Sequence, residues 1–216
     1  MTSNRAQLRR IYDLLFACYG PQSWWPGDSA FEIMVGAVLT QNTAWFNVER
    51  AIDRLKSRDL LEPEAILQLK QTELAELIRP AGYFNVKAKR LRAMCEFLLQ
   101  HPDLERLEDR ELRERFLAVH GIGPETADDI LLYAFERPVF VIDAYTRRLF
   151  GRLGLLEDEA DYDGLRGQFE RALGPDVALF NEYHALIVRH AKQVCRSRPE
   201  CPRCCVAATC PACRTE

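Results

Sequence analysis

A short glycine hairpin is the feature that most limits the fold of this chain. Gly121-Ile122-Gly123 separates two segments of helical periodicity, residues 109–119 and 124–136. Glycine permits a sharp turn between helices, and Pro124 suits the first turn of the second helix, where a missing N–H costs nothing. Such a turn presents backbone N–H groups to a phosphate, with the helix dipole behind them. The other interpretation is an ordinary helix–helix turn with a glycine C-cap.

Helical spacing of apolar residues continues through most of the 216 residues, and no alternating segment is long enough for a sheet. The predicted fold class is therefore all-α, with about ten helices. No apolar run approaches the roughly 20 residues that span a bilayer. The N-terminal segment is amphipathic and lacks the apolar core of a secretory signal, which predicts a cytoplasmic protein without a membrane partner.

The net charge of −3 argues only weakly against nucleic acid binding, because only the surface that faces the phosphates must be basic. Basic residues cluster in two stretches, 87–92 and 189–203. Each stretch is either part of a DNA-binding surface or a solvated helix face.

Six of the eight cysteines lie between Cys195 and Cys213. Cysteines crowded at one end of a cytosolic chain favour a metal site over disulfides. Four of them follow the spacing C-x5-C-x2-C-x5-C and are candidate ligands, a choice that the resemblance described below implies: Cys195, Cys201, Cys204 and Cys210. Four thiolates suit an iron–sulfur cluster or a zinc ion. The roles of Cys205 and Cys213 stay open, and Cys18 and Cys95 are expected to be buried thiols within helices.

Asp143 lies downstream of the hairpin, at the start of the next helical segment. A carboxylate there can sit near the sugar of a nucleotide whose phosphate is held by the hairpin. It is also at a common position for a helix N-cap. The two roles are compatible, because N–H donors at a cap keep the carboxylate ionised.

Together these motifs resemble the helix-hairpin-helix DNA glycosylase superfamily, of which endonuclease III is a familiar member. The resemblance covers nearly the whole chain, and it also includes Leu-Thr-Gln-Asn-Thr at 39–43 and Gly-Tyr-Phe-Asn-Val-Lys-Ala at 82–88. It implies two helical lobes. One is a six-helix barrel with the hairpin, residues 21–135. The other combines residues 1–20 and 136–216 and carries a [4Fe-4S] cluster loop at 195–210, although the first cysteine gap is one residue shorter than in endonuclease III.

The resemblance also implies a role for several residues in a monomer that binds double-stranded DNA containing a damaged base. Asp143 is the catalytic residue, because cleavage of an N-glycosidic bond builds positive charge on the sugar that a carboxylate stabilises. Gln41 fills the hole left by the extruded base, and Tyr83 probes the orphaned base. The hairpin contacts the DNA backbone through Gly121, Ile122, Gly123 and Thr126.

Glu125 indicates the type of reaction. Bifunctional enzymes of the endonuclease III type carry a lysine at this place in the hairpin, which forms a Schiff base and permits strand cleavage. A glutamate cannot form an imine, so the resemblance predicts a monofunctional glycosylase without AP lyase activity. Glu125 is otherwise a helix N-terminal carboxylate favoured by the dipole. Lys87 and Lys89 are the alternative amines.

Three tryptophans, Trp24, Trp25 and Trp45, together with Glu125 make the chain most similar to the 3-methyladenine DNA glycosylase III branch, some members of which lack the cluster. That branch removes N-alkylated purines, whose positive charge gains a cation–π interaction on an aromatic ring. The alternative for the tryptophans is core packing. The alternative functions are removal of mismatched uracil or thymine or of oxidised pyrimidines, and non-catalytic lesion binding. His120 and Tyr145 are secondary candidates for DNA contacts.

Overall fold

A computed structural model describes residues 2–156 and 160–214. In this part of the chain there are eleven α-helices, short 3-10 turns and no strand, so the all-α prediction is confirmed. None of the helices described is both long enough and apolar enough to cross a bilayer. The helices are α1 Thr2–Tyr19, α2 Ala30–Leu39, α3 Trp45–Lys56, α4 Pro63–Gln68, α5 Gln71–Leu77, α6 Phe84–Gln100, α7 Asp109–Leu117, α8 Pro124–Tyr133, α9 Ala144–Leu153, α10 Tyr162–Leu173 and α11 Val177–Gln193.

The chain divides into two compact units. The central unit is Trp25–Arg137, and the terminal unit combines the chain before it with the chain after it. The central unit contains α2 to α8, and the terminal unit contains α1 and α9 to α11 together with the cysteine-rich segment.

The core of the central unit forms around α2, which is apolar nearly all round. Its residues from Met34 to Leu39 are all buried. The helix begins at Ser29, whose hydroxyl accepts a hydrogen bond from the Glu32 N–H, while the Glu32 carboxylate accepts one from the Asp28 N–H. This reciprocal cap fixes where the helix starts.

The hairpin between α7 and α8 needs glycine at its first position. Gly121 has a φ of +86°, and a Cβ there would lie 2.2 Å from the Arg90 Cγ. Ile122 is buried between the two helices. A buried ion pair ties the same helices together, because Arg113 Nε donates to Asp128 Oδ1 at 2.6 Å. Conformation and close approach together therefore strongly favour glycine at 121.

The terminal unit is built on a group of stacked aromatic side chains. Phe140 and Phe169 lie face to face with ring centroids 4.5 Å apart, and Phe150 meets Phe169 edge-on at 4.8 Å. Tyr183 of α11 is buried beside them and donates its hydroxyl to the Leu8 carbonyl of α1 at 2.7 Å. This core fixes α9 and α11, which carry the polar residues described next.

Candidate active site and cysteine cavity

Asp143 is the N-cap of α9. Its Oδ1 accepts a hydrogen bond from the Thr146 N–H at 2.6 Å, and the residue is only 8% exposed. Its Oδ2 lies 3.5 Å from Nε2 of His184. Burial raises the pKa of Asp143, but His184 and the Thr146 N–H outweigh burial and hold the pKa below its ordinary value. The result is an ionised carboxylate at neutral pH in a nearly dry environment, where it acts strongly on any positive charge nearby.

His184 is a polar residue of this site that the sequence did not reveal. It lies in the middle of α11 among apolar neighbours and is itself buried. In the sequence that pattern is typical of a core histidine, and the segment carries no recognisable motif. Only the packing of α9 against α11 brings its ring to Asp143.

Two cations lie beside Tyr145, the second residue of α9. The Arg148 guanidinium carbon is 5.1 Å from the ring centroid of Tyr145, and the Lys192 ammonium is 5.7 Å from it. Burial and the nearby Asp143 carboxylate raise the pKa of Tyr145. Tyr145 is therefore a neutral, half-buried aromatic residue with positive charge around it, an arrangement suited to a polyanion.

In the central unit, the hairpin holds the side chain of Gln41. Its Nε2 donates to the Gly121 carbonyl at 3.1 Å and to the Thr126 hydroxyl at 2.8 Å, and its Oε1 accepts from Arg90. Gly123, by contrast, has open space where a Cβ would point. The hairpin backbone is thus open to a ligand at Gly123, while Gln41 is engaged in three hydrogen bonds.

Glu125 and Tyr83 are both exposed. Glu125 lies in the first turn of α8. Tyr83 is 71% exposed and has a φ of +47°, in the left-handed region that aromatic residues rarely adopt. Residues with such backbone strain cluster at functional sites in proteins generally.

Two of the three candidate tryptophans lie together in the central unit. The ring centroids of Trp25 and Trp45 are 5.0 Å apart in an edge-on arrangement. Tyr133, which the sequence analysis did not include, lies 5.1 Å from Trp25. The Trp25 ring also covers Gly36, where a Cβ would come within 3.1 Å of it. Trp24 falls in the terminal unit.

The cysteine-rich segment surrounds a small cavity. Apart from its thiols, the lining consists largely of apolar side chains such as Leu149 and Val206. The thiols are those of the four predicted ligands and a fifth cysteine: Cys195, Cys201, Cys204, Cys210 and Cys213. Cys213 Sγ lies 2.7 Å from Cys201 Sγ. Cys205 is not part of this lining and lies beside Cys18 and His190 instead. Cys18 is exposed, so the expectation that it is buried was wrong, whereas Cys95 is buried.

Arginine and histidine nitrogens contact the sulfur atoms and the backbone around this cavity. Arg152 donates to Cys195 Sγ at 3.2 Å and to the Arg196 carbonyl at 2.6 Å, and Arg148 donates to the Cys195 carbonyl at 2.7 Å. His190 Nε2 is 3.5 Å from Cys204 Sγ. Within the described residues, no three Cys, His, Asp or Glu side chains are arranged to hold a metal ion. The cavity nevertheless provides thiols and positive donors, as a thiolate-bound group requires.

An all-α chain with a glycine hairpin and a buried carboxylate at a helix start has the features of the helix-hairpin-helix enzymes that act on DNA. The sequence also matches the HhH-GPD superfamily base excision DNA repair protein family over residues 35–175. The chain therefore belongs to this superfamily.

Individual relatives agree with this assignment. A protein of Methanocaldococcus jannaschii that carries the name DNA repair glycosylase is 46% identical, over 93% of this chain and 94% of its own length. The crystal structure of the H. pylori 3-methyladenine DNA glycosylase bound to 1,N6-ethenoadenine is 30% identical, with a TM-score of 0.73 over 88% of this chain and 97% of that one. A non-covalent endonuclease III–DNA complex has a TM-score of 0.84 over 98% of this chain and 97% of that one, at 19% identity, and shows the shared fold.

Proposed function

We propose that the protein is a monofunctional DNA N-glycosylase that removes an N-alkylated purine, such as 3-methyladenine, from duplex DNA. The observation that carries the proposal is Asp143, a buried carboxylate kept ionised by His184 and the Thr146 N–H. A protein that only binds lesions gains nothing from a buried negative charge among phosphates. A hydrolase that builds positive charge on a sugar does gain from it.

The reaction needs little from the protein beyond the negative charge of the Asp143 carboxylate. The bond between C1′ and the base nitrogen breaks, and the base leaves with the electron pair. A 3-alkylated purine carries a positive charge before cleavage, so it leaves as a neutral molecule without a general acid. Asp143 stabilises the positive charge that develops on the sugar and accepts the proton of a water whose oxygen bonds to C1′.

Of the two alternative amines in the central unit, Lys89 is exposed on α6 and Lys87 is buried. Glu125 occupies the place of the lyase lysine, and the Lys87 ammonium is buried against two backbone carbonyls. In the terminal unit, Lys192 lies over the Tyr145 ring and is the amine that an experiment must test. These observations support hydrolysis by water without strand cleavage.

The aromatic group of Trp25, Trp45 and Tyr133 supports an alkylated purine as the substrate. A cationic base stacked on an indole ring gains a cation–π attraction that a normal base lacks, of about 0.5–2 kcal/mol. The 30% identical H. pylori enzyme is a 3-methyladenine glycosylase.

A second candidate function is that of a glycosylase for oxidised or mismatched pyrimidines. The similarity to endonuclease III of Sulfolobus acidocaldarius, which is 28% identical over 84% of this chain, favours this candidate.

We also propose that Cys195, Cys201, Cys204 and Cys210 hold a [4Fe-4S] cluster. One zinc ion needs four thiolates about 2.3 Å from a common centre, whereas a cluster spreads them over four irons. All four thiols line one cavity, and the resemblance to endonuclease III favours the cluster over zinc. The role is structural, and a purified protein that is yellow-brown, with absorbance near roughly 400 nm, would support iron over zinc.

A panel of duplexes, each with a single lesion, tests the proposed function. The duplexes carry 3-methyladenine or a stable analogue, 7-methylguanine, 1,N6-ethenoadenine, uracil opposite guanine, thymine opposite guanine, and an oxidised pyrimidine. We expect free alkylated purine and a site that breaks only after alkali treatment. Release of pyrimidines alone would favour the second candidate.

Borohydride trapping tests the absence of lyase activity. We expect no protein–DNA cross-link on an abasic-site duplex with the wild-type protein. A cross-link that disappears in Lys192→Ala would contradict the monofunctional assignment and identify the amine.

A further inference from the structure

Lys87 is a buried lysine that the proposed reaction leaves without a role. It lies on α6, is 1% exposed, and its Nζ donates to the Leu39 carbonyl at 2.8 Å and to the Ala81 carbonyl at 2.7 Å. Burial and the neighbouring Arg90 lower the pKa of Lys87 to about 8. A buried ammonium is costly, and an apolar side chain of similar length would fill the same space without that cost.

The two carbonyls mark the ends of two separate elements. Leu39 is the last residue of α2, and Ala81 is the last residue of the short 3-10 turn 79–81. Terminal carbonyls of helical segments have no partner within the segment and carry the negative end of the dipole, so a cation is a favourable partner. Because both carbonyl oxygens bind the same ammonium nitrogen, the Lys87 side chain holds the end of α2 and the end of the 3-10 turn at a fixed separation.

Each of these ends leads directly into a residue proposed to enter DNA. Gln41 follows Leu39 by two positions, and Tyr83 follows Ala81 by two positions. The Tyr83 carbonyl also accepts the Lys87 backbone N–H at 3.0 Å, which fixes the strained turn to the start of α6. Arg90, one turn further along α6, donates to the Gln41 Oε1 and packs against Gly121. One face of α6 therefore holds the Gln41 loop, the Tyr83 turn and the hairpin.

We propose that Lys87 is a positioning residue for base extrusion, whose ammonium fixes the Gln41 loop and the Tyr83 turn at the separation that the duplex requires. The inference rests on the proposed function, and on the roles in base extrusion that the family resemblance implies for Gln41 and Tyr83. Lys87 itself does not touch DNA. It determines where the two inserting side chains lie before the DNA arrives, so that binding does not have to order them.

The test replaces the ammonium with a side chain of similar length. The variant is Lys87→Met, and the matched control is Lys70→Met, which makes the same change at an exposed position of the central unit, outside both basic stretches. The probe is a duplex with a tetrahydrofuran abasic-site analogue opposite 2-aminopurine, whose fluorescence reports disturbance of the orphaned base. This probe does not depend on which damaged base is removed, and Tyr83→Ala serves as the reference for lost insertion.

We expect the full-length Lys87→Met protein to bind the probe with an affinity near that of the wild type. The 2-aminopurine signal at saturation should fall toward that of Tyr83→Ala, and single-turnover base release should fall about 10- to 100-fold, as expected for misplaced groups. Hydrogen exchange of the free protein should quicken at residues 40–42 and 82–83. Lys70→Met should match the wild type in each measurement.

An unchanged fluorescence signal together with unchanged exchange at both loops would overturn the proposal. If Lys87→Met fails to fold, the same two measurements on Lys87→Gln decide the question, because this shorter and neutral side chain also removes the ammonium that contacts both carbonyls. Hydrogen exchange in the free protein and fluorescence on the abasic analogue require no base release. A failure of the proposed substrate would therefore be visible separately, in the lesion panel.

Discussion

Asp143→Asn separates the chemical role of this residue from its structural role. Asparagine has nearly the same size and is an equally good N-cap, so its side-chain oxygen can still accept from the Thr146 N–H that starts α9. The substitution removes the negative charge that His184 helps to maintain. We therefore expect a folded protein that binds damaged DNA but releases the base far more slowly.

The size of the effect follows from the surroundings of the carboxylate. Two opposite unit charges about 4 Å apart attract each other by about 4 kcal/mol at an effective dielectric constant near 20, and by about 1 kcal/mol in water. Because Asp143 is only 8% exposed, the larger value applies. Each 1.4 kcal/mol or so of lost transition-state stabilisation costs a factor of about ten, so the rate of base release should fall about 10³-fold.

Single-turnover release of 3-methyladenine from a methylated duplex, with protein in excess, measures this rate directly. Affinity for an abasic-site duplex and the melting temperature are measured on the same preparations. A rate loss below about tenfold, with binding and stability unchanged, would refute the electrostatic argument, because a solvent-screened carboxylate is worth about that much. Parallel losses of stability and of activity would mean that the cap is the main role of Asp143.

Three further outcomes follow from the structure. Glu125→Lys places an amine at the start of α8, and we expect borohydride to trap a covalent complex with an abasic-site duplex that the wild type does not form. His184→Phe removes the partner that lowers the Asp143 pKa and leaves burial, which raises it; the carboxylate then protonates at higher pH, and the acid limb of the rate–pH profile should move upward. Cys204→Ser should weaken or abolish the absorbance near roughly 400 nm and lower the melting temperature, whereas Cys205→Ser, outside the cavity lining, should change neither.

The fold could be predicted because its signals are local. Helical periodicity, the caps at Ser29 and Asp143, and the glycines of the hairpin each act within a few residues, so the sequence contains their full cause. The structure shows why glycine is strongly favoured at position 121: its backbone is left-handed and Arg90 packs against it. It also shows that Asp143 is a helix cap and a buried ionised carboxylate at once, which makes the two interpretations of this residue compatible.

The parts that escaped prediction depend on packing between distant segments. His184 reaches Asp143 only because α11 packs against α9, and one of the two partners of Lys87, the Leu39 carbonyl, lies 48 residues away in the sequence. Trp24 and Trp25 are adjacent in the sequence but fall in different units, and a motif of two tryptophans cannot show which of them meets Trp45. Such contacts require the packed structure.

The helix that begins at the proposed catalytic carboxylate also binds the segment that carries the proposed cluster ligands. This contact suggests a structural role for iron and sulfur in a hydrolytic enzyme. Asp143 begins α9, and Arg148 and Arg152, further along the same helix, bind the backbone of the cysteine segment. A short segment with little regular structure cannot hold these arginines firmly without an internal cross-link. Four thiolates on one rigid group would supply that cross-link, so the cluster would fix α9 and, through it, the carboxylate. On this argument the cluster acts by position and needs no change of oxidation state.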